Sequence, residues 1–556
     1  MLATTAKDVL VKKFVVSLTL CLALTACDQD SGDDGLSSAI TQTTLGVLSA
    51  DCAYGGVRID SGTDANGDGQ VTGDEIGSSE TVCNGADAPA VDTALREVIL
   101  AQGLTGDPLG NRTAPSVDDP VAQLGMKLFF TKGLGGDQDA ACVTCHHPFL
   151  GGGDDLSLPV GVAAEIHDLL GPGRAHSAAG TDFDGGPTVP RNAPTTFNMM
   201  LWDQVLFHDG RIESLTKIAN TSGEDGQIRT PDVAFGQVDP AALPNLTVAQ
   251  ARFPVTSPEE MRGFAFEAGN SNDDVRNHLA ARLQGNTVPV ELATNNWLEE
   301  FRTAFENPAG TAAELITYDN IALAIGTYEN SQLFVDNAFK RYIDGDDTAL
   351  TGDAKLGALM FYGESGCAGC HSGDRMTDEQ FHVVAMPQIG RGKGNDNGVN
   401  ADDDFGRFRE TGADADRYAF RTPSMLNVAE TGPWTHAGAY TTLEAVVSHH
   451  ADPRSAVTNY DFTQLEAGVQ VDNMAANTAF ALDQLDALRA SSSSALPEIT
   501  LDATDVSRLV AFLNALTDPC LEDPQCIGRW VPSVADTDPD GLRVQAVDRL
   551  GNPLAP

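Results

Sequence analysis

Two short segments constrain this chain more than anything else in its 556 residues: Cys142-Val143-Thr144-Cys145-His146 and Cys367-Ala368-Gly369-Cys370-His371. The Cys-x-x-Cys-His spacing is the attachment signature of a c-type haem. Two thiols with two residues between them match the span of the two haem vinyl groups, and the histidine that follows falls beneath the iron as an axial ligand. One such match also fits a redox dithiol or half of a zinc site. Two in an exported chain predict two covalently bound haem c groups, and therefore two cores built around something that is not an amino acid. Composition agrees, since aromatic residues are only 6% and glycines number 55.

The export signal lies at the N-terminus. Lys7, Lys12 and Lys13 precede an apolar stretch, Phe14 to Ala26, that is too short to span a bilayer and is flanked like a secretory signal. It ends in Leu24-Thr25-Ala26-Cys27, which resembles a bacterial lipobox. Cys27 is therefore expected to carry the lipid anchor. An ordinary signal with a chance cysteine is the blander alternative. Asp28 resembles the residue that retains some lipoproteins at the inner membrane. The expected location is the periplasmic side of a bacterial membrane, inner or outer left open. No later segment is apolar enough to cross a bilayer.

Eight cysteines remain once Cys21 and Cys27 are set aside, in four local pairs within an oxidising compartment. Cys520 and Cys526 most simply close a short loop. Cys52 and Cys83 flank Asp64-Ala65-Asn66-Gly67-Asp68-Gly69-Gln70-Val71-Thr72-Gly73-Asp74-Glu75. That run fits a calcium loop, with side-chain oxygens from Asp64, Asn66, Asp68 and Glu75 and the backbone carbonyl of Gln70. An acidic solvated loop is the alternative. No helical pattern flanks it, so the expectation is a small calcium and disulfide module rather than an EF-hand pair.

Charge excludes one class of partner. Lys and Arg number 34 against 79 Asp and Glu, a formal net charge of −45. Nucleic acid is ruled out as a partner, because phosphate binding needs clustered positive charge. Non-specific adhesion to anionic lipid is disfavoured for the same reason. A saline habitat or a basic protein partner fits equally well.

The rest reads as two similar halves. Gln123-Leu124-Gly125-Met126-Lys127-Leu128-Phe129-Phe130 precedes the first cysteine pair, and Lys355-Leu356-Gly357-Ala358-Leu359-Met360-Phe361-Tyr362 the second. Further helices are expected at Asp319–Phe334, Thr442–His450 and Thr504–Leu516, the last with Thr504 as N-cap. Strand patterns are sparse, and Gly151–Arg191 and Gln388–Arg417 read as long loops. The predicted fold is mainly α, with two cytochrome c-like domains and the small N-terminal module. The expected boundaries are signal 1–26, tether 27–50, module 51–87, N-terminal haem domain 88–310, C-terminal haem domain 311–530 and tail 531–556.

From about Asp119 to Trp530 the chain resembles the bacterial di-haem cytochrome c peroxidases. The resemblance rests on Leu124-Gly125 through His146, Pro190-Arg191-Asn192-Ala193-Pro194-Thr195 and Phe207-His208-Asp209-Gly210-Arg211. It continues through Pro258-Glu259-Glu260-Met261, Pro423-Ser424-Met425-Leu426-Asn427-Val428-Ala429-Glu430-Thr431-Gly432-Pro433 and His436-Ala437-Gly438. It implies that the N-terminal haem reduces hydrogen peroxide. The C-terminal haem would accept electrons from a small donor protein of cytochrome c or cupredoxin type. His146 matches the proximal ligand of the peroxidatic haem and Glu260 the distal carboxylate that moves a proton between the peroxide oxygens. A plain helix-start charge is the alternative for Glu260, and Glu259 is the weaker occupant of the same role. Asn192, Thr431 and Pro433 match an inter-domain calcium site, through one side chain and two backbone carbonyls. A turn residue is the alternative for Asn192. The family is often dimeric, which implies a homodimer here.

Three departures stand out. The position of a distal histidine over the peroxidatic haem falls on Val162, which implies a permanently open iron. His167 and His176, in the insertion that follows, are either substitutes or, preferably, exposed loop histidines. The family's inter-haem tryptophan is His208, and an imidazole carries an oxidised hole far less easily; Trp202 lies six residues earlier. His208 fits an electron path or a hydrogen-bonding role. The second haem's distal ligand falls on His450, with His449 one register away, where relatives carry Met or Tyr; an imidazole lowers the haem potential. His436 reads as a supporting residue. The longer Thr221–Ala251 segment reads as a loop that shapes access to Glu260. The function expected is peroxide reduction. The alternatives are oxidation of a protein or organic substrate through high-valent iron, and a non-enzymatic electron-transfer or redox-sensing lipoprotein.

Overall fold

The computed structural model describes residues 37–85, 89–393 and 403–554. The signal peptide, Cys27, the tether as far as residue 36 and part of the Gln388–Arg417 loop lie outside them. No helix among the described residues is long and apolar enough to cross a membrane.

Two compact units emerge. Among the described residues, the first takes in 37–45 and 57–82, the second 46–56 and those from 83 onward. Strands β1 (Ser37–Val47), β2 (Tyr54–Asp64) and β3 (Ile76–Cys83) form a sheet in that order. β1 occupies ground that the sequence assigns to the tether, so the ordered module begins well before residue 51. The reason lies in its composition: a Thr- and Ser-rich strand whose residues are mostly exposed or half-buried lacks the apolar alternation that marks a strand. Cys52 pairs with Cys83 and Cys520 with Cys526, as the spacing suggested.

The second unit is built twice on one plan. Helix α1 (Pro89–Gln102) opens it. Helices α2 (Pro120–Phe130), α3 (Asn272–Gln284) and α4 (Tyr318–Ser331) serve one half; α5 (Gly352–Tyr362), α6 (Leu443–Ala451) and α7 (Ala503–Asn514) serve the other. In each half the helix ahead of the Cys-x-x-Cys-His motif crosses a later helix at a glycine. A Cβ on Gly125 would stand 1.9 Å from the Ala324 carbonyl oxygen, and one on Gly357 1.9 Å from that of Arg508. Only a residue without a Cβ lets the two backbones approach so closely. The crossings seal two cores, Leu128, Phe129, Ile321 and Tyr328 in one and Leu356, Phe361, Leu509 and Phe512 in the other.

Packing does not follow the sequence boundaries at 87/88, 310/311 and 530/531, and the signal–tether boundary lies outside the described residues. Helix α1 falls in the expected N-terminal domain, yet Val91, Leu95 and Ile99 are buried with Phe339, Tyr342 and Leu356 of the other half. Helix α4 falls in the expected C-terminal domain, yet it closes on α2. The tail returns to the first half. Val544 N donates to Phe130 O at 2.9 Å and Leu170 N to Val547 O at 2.9 Å, and Asp540 accepts from Thr131 Oγ1 and Trp297 Nε1. Two smaller readings change as well. The N-cap of α7 is Asp502, not Thr504, its carboxylate taking the Thr504 and Asp505 amides at 2.7 and 2.9 Å. The Thr221–Ala251 segment is not all loop: Leu246–Gln250 is a short helix capped by Asn245, and Val248 lies against Gly326 of α4.

The halves are joined through buried charge. Strands β4 (Val205–Leu206) and β5 (Ile212–Ser214) pair antiparallel and carry Phe207–Arg211 at their turn. Arg191 bridges Asp209 at 2.6 Å and Asp404 at 2.5 Å, and Arg407 reaches Glu213 at 2.7 Å. Partnered buried charges of this kind are costly to break.

Candidate functional site

A cavity of about 380 Å³ runs between the halves, and both Cys-x-x-Cys-His motifs open onto it. Each motif starts on a single helical turn, and the turns match bond for bond. His146 N donates to Cys142 O at 3.1 Å, and His371 N to Cys367 O at 3.0 Å. The turn sets both thiols and the imidazole toward the same space. His146 Nδ1 lies 3.1 Å from Gly152 O, and His371 Nδ1 lies 3.1 Å from Pro423 O. Each Nδ1–H is thus spent on a carbonyl, which fixes the tautomer and leaves Nε2 to the cavity. Burial holds both imidazoles neutral, down to about 4.

The four motif cysteines are free thiols rather than two local disulfides. Burial pushes the Cys142, Cys145 and Cys367 thiols up, Cys367 to about 12. Cys370 also meets Asp378 and His382, their ligand atoms within 4.8 Å of one another; that thiol already belongs to the motif. The residues present fit covalent haem. Arg421 adds a further sign: its Nε and Nη1 are buried with no hydrogen-bond partner, and its guanidinium lies 3.6 Å over the Trp202 ring on the cavity wall. A buried cation with open donors suits an anionic edge such as a haem carboxylate. Sequence gave no cue to Arg421, since an arginine ahead of Thr-Pro looks like any surface residue.

Glu260 borders the cavity from a single π-turn, Pro258–Arg262. Its Oε1 lies 3.9 Å from Arg211 Nη2. Glu259 is spent elsewhere, taking the Ser257 hydroxyl at 3.1 Å. Lys393, also missed in sequence, stands on the same wall; burial beside Arg211 and Arg191 holds its ammonium down to about 8. Val162 is buried behind the Glu260 turn, its amide donating to Glu259 O at 3.3 Å. His167 is exposed. His176 is not the exposed loop residue expected: it is buried and stacked on Phe183 with centroids 5.6 Å apart. Neither is among the cavity-lining residues.

The adjacent histidines on α6 separate cleanly. His449 uses both ring nitrogens away from the cavity, Nδ1 with Tyr440 Oη and Nε2 with Val384 O, each at 2.9 Å. His450 donates Nδ1–H to Val446 O at 2.9 Å and borders the cavity. His208 and Trp202 both border it too. His208 Nε2 donates to Asn192 O at 3.0 Å, and burial keeps the ring neutral, down to about 3. The His436 ring stacks on Phe420 with centroids 3.8 Å apart, and the His436 backbone carbonyl accepts from the Asn192 backbone N–H at 2.9 Å.

Asn192, Thr431 and Pro433 all reach the cavity wall, and the Asn192 side-chain amide donates to Leu156 O at 3.0 Å. In the first unit, the Asp64–Glu75 loop folds around its own acidic groups. Asp64 takes the amides of Gly67, Asp68 and Gly69; Asn66 takes that of Asp68; Asp68 takes that of Gln70; Glu75 takes those of Ala65 and Thr72.

Residues 119–348 match the family described as di-haem cytochrome c peroxidase, and residues 39–83 match a domain of unknown function. The chain is 28% identical over 375 residues to methylamine utilization protein MauG of Methylorubrum extorquens, covering 66% of this chain and 80% of that one. It is 27% identical over 332 residues to cytochrome c551 peroxidase of Pseudomonas aeruginosa, covering 60% and 72%. The crystal structure of a MauG-like protein associated with microbial copper homeostasis superposes with a TM-score of 0.48 at 21% identity, over 77% of this chain and 97% of that one.

Proposed function

We propose that the chain is a di-haem cytochrome c peroxidase, the family that residues 119–348 match, and that it reduces hydrogen peroxide to water with electrons from a small redox protein. When bound, the two haems supply the redox chemistry, one meeting peroxide and the other receiving the donor's electrons. The chain's own residues supply the rest. His146 and His371 present Nε2 to the cavity because Nδ1–H is tied to a carbonyl. Glu260 takes a proton from one peroxide oxygen on a carboxylate oxygen and returns it to the other, which leaves as water. Arg211 directs that carboxylate from 3.9 Å. His450, with Nε2 unspent at the cavity wall, would help hold the haem attached at His371.

One observation carries the reading: a carboxylate, with no imidazole competing from the Val162 loop, borders the cavity shared by both haem motifs. The experiment is peroxide consumption by the holoprotein and by Glu260→Gln. A large loss with both haems retained supports it; full turnover by the variant removes Glu260 from the mechanism.

The same proposal includes an anchor at Cys27 on the periplasmic side, calcium at Asn192, Thr431 and Pro433, and calcium in the Asp64–Glu75 loop. Oxygen-rich donors at both places support calcium. A chelator is expected to lower the melting temperature, and added calcium to restore it. The second reading, oxidation of a protein or organic substrate, is favoured by His450 where a methionine is usual. Turnover that needs such a substrate, and not a reduced donor protein, would establish it.

A further inference from the structure

We propose that Arg174 is a positioning residue for Glu260, acting through the backbone of the Val160–Val162 loop; the proposal rests on the peroxidatic role of Glu260 given above. Arg174 is 6% exposed. It has no carboxylate within ion-pair distance among the described residues, and its guanidinium is spent on main-chain carbonyls. Nε donates to Val160 O at 2.7 Å and Nη2 to Gly161 O at 2.9 Å. Nη1 donates to His167 O and Leu169 O, both at 2.9 Å. A planar fork with five donors is suited to gathering several carbonyls at fixed angles, which a lysine is not.

The gathered loop lies directly on the Glu260 turn. Val162 N donates to Glu259 O at 3.3 Å. A Cβ on Gly161 would stand 2.4 Å from the carbonyl oxygens of Glu259 and Glu260 and 2.9 Å from the Glu260 Cα. The other side of the turn is gripped in the same manner. Gly136 N donates to Met261 O at 2.8 Å, and Arg282 donates to Gly133 O, Gly135 O and Gly136 O at 3.0, 2.6 and 3.1 Å. A five-residue π-turn has little rigidity of its own, and two arginine-tied loops hold it through its backbone, one at Glu259 and the other at Met261. Arg174 contributes to chemistry by fixing where the Glu260 carboxylate points, without meeting peroxide itself.

The test uses the holoprotein and two variants that loosen the contact differently. Arg174→Gln removes the knot of carbonyls. Gly161→Ala leaves Arg174 in place and pushes on the Glu260 backbone. Each is expected to lower the second-order rate with peroxide by about tenfold to a hundredfold, the scale of an ångström-sized misplacement. Arg174→Gln is expected to raise amide hydrogen exchange at Val162, Met261 and Arg262, with α5 and α7 unchanged. In a Glu260→Gln background both substitutions are expected to cost less than twofold, because the group they position is gone. Equal losses with and without the Glu260 carboxylate would overturn the proposal, as would exchange that rises throughout α5 and α7. Full turnover by Glu260→Gln alone would remove the catalytic reading and the proposal with it, a result visible in that single variant.

Discussion

His450 donates its Nδ1–H to the carbonyl of Val446, one helical turn back, at 2.9 Å. This bond turns Nε2 to the cavity, while its neighbour His449 has both nitrogens engaged. Replacing His450 with Ala is therefore expected to convert the second haem from a low-spin to a high-spin spectrum. His450→Met is expected to raise that haem's reduction potential, since a thioether favours the reduced iron more than imidazole does. His449→Ala should leave both properties in place. Spectroelectrochemistry of the three variants checks the assignment; a shift from His449→Ala alone would reverse it.

The paired glycines make a symmetrical prediction. A methyl at Gly125 collides with the Ala324 carbonyl and one at Gly357 with that of Arg508, each at 1.9 Å. Both are backbone atoms, so the helices must separate. Gly125→Ala and Gly357→Ala are each expected to cost about 1–3 kcal/mol, as overpacked cores do. Thermal unfolding measures the cost, and the haem absorbance that changes first should belong to the half carrying the substitution.

Glu329 on α4 is buried, its Oε2 has no hydrogen-bond partner, and burial pushes its pKa up to about 8. The folded protein holds this proton more tightly than the unfolded chain. Its contribution to stability is present below the usual glutamate value near 4.5 and is lost as pH rises toward 8. The melting temperature is expected to fall between pH 5 and pH 8, and Glu329→Gln should flatten that fall. An identical slope in the variant would show that Glu329 is not the group responsible.

Asp540 ties the returning C-terminal segment to the first half, accepting from Thr131 Oγ1 at 2.8 Å and Trp297 Nε1 at 2.9 Å. Asp540→Ala strands both buried donors. The expected cost is about 2–6 kcal/mol, from about 1–3 kcal/mol for each of the two stranded groups. Denaturant unfolding checks it.

What was legible in sequence lay in short spacings: the two Cys-x-x-Cys-His motifs and the Leu-Gly helix that precedes each. What it hid was set by long-range packing. α1 has an ordinary amphipathic face, and nothing in it says that it covers the second haem half rather than the one it precedes. α4 and the tail were misassigned for the same reason. His449 and His450 have the same local sequence context, and only Tyr440 and Val384, brought near by the fold, separate them. Asp502 and Thr504 are both good cap residues, and the choice turns on which side chain meets the first free amides.

The central claim is an open iron at His146 and a bis-histidine iron at His371 and His450. Electron paramagnetic resonance of the isolated ferric protein, before and after one equivalent of hydrogen peroxide, tests it most directly. The account predicts one high-spin and one bis-histidine low-spin signal, with the high-spin signal consumed by peroxide. Two low-spin signals that ignore peroxide would contradict it.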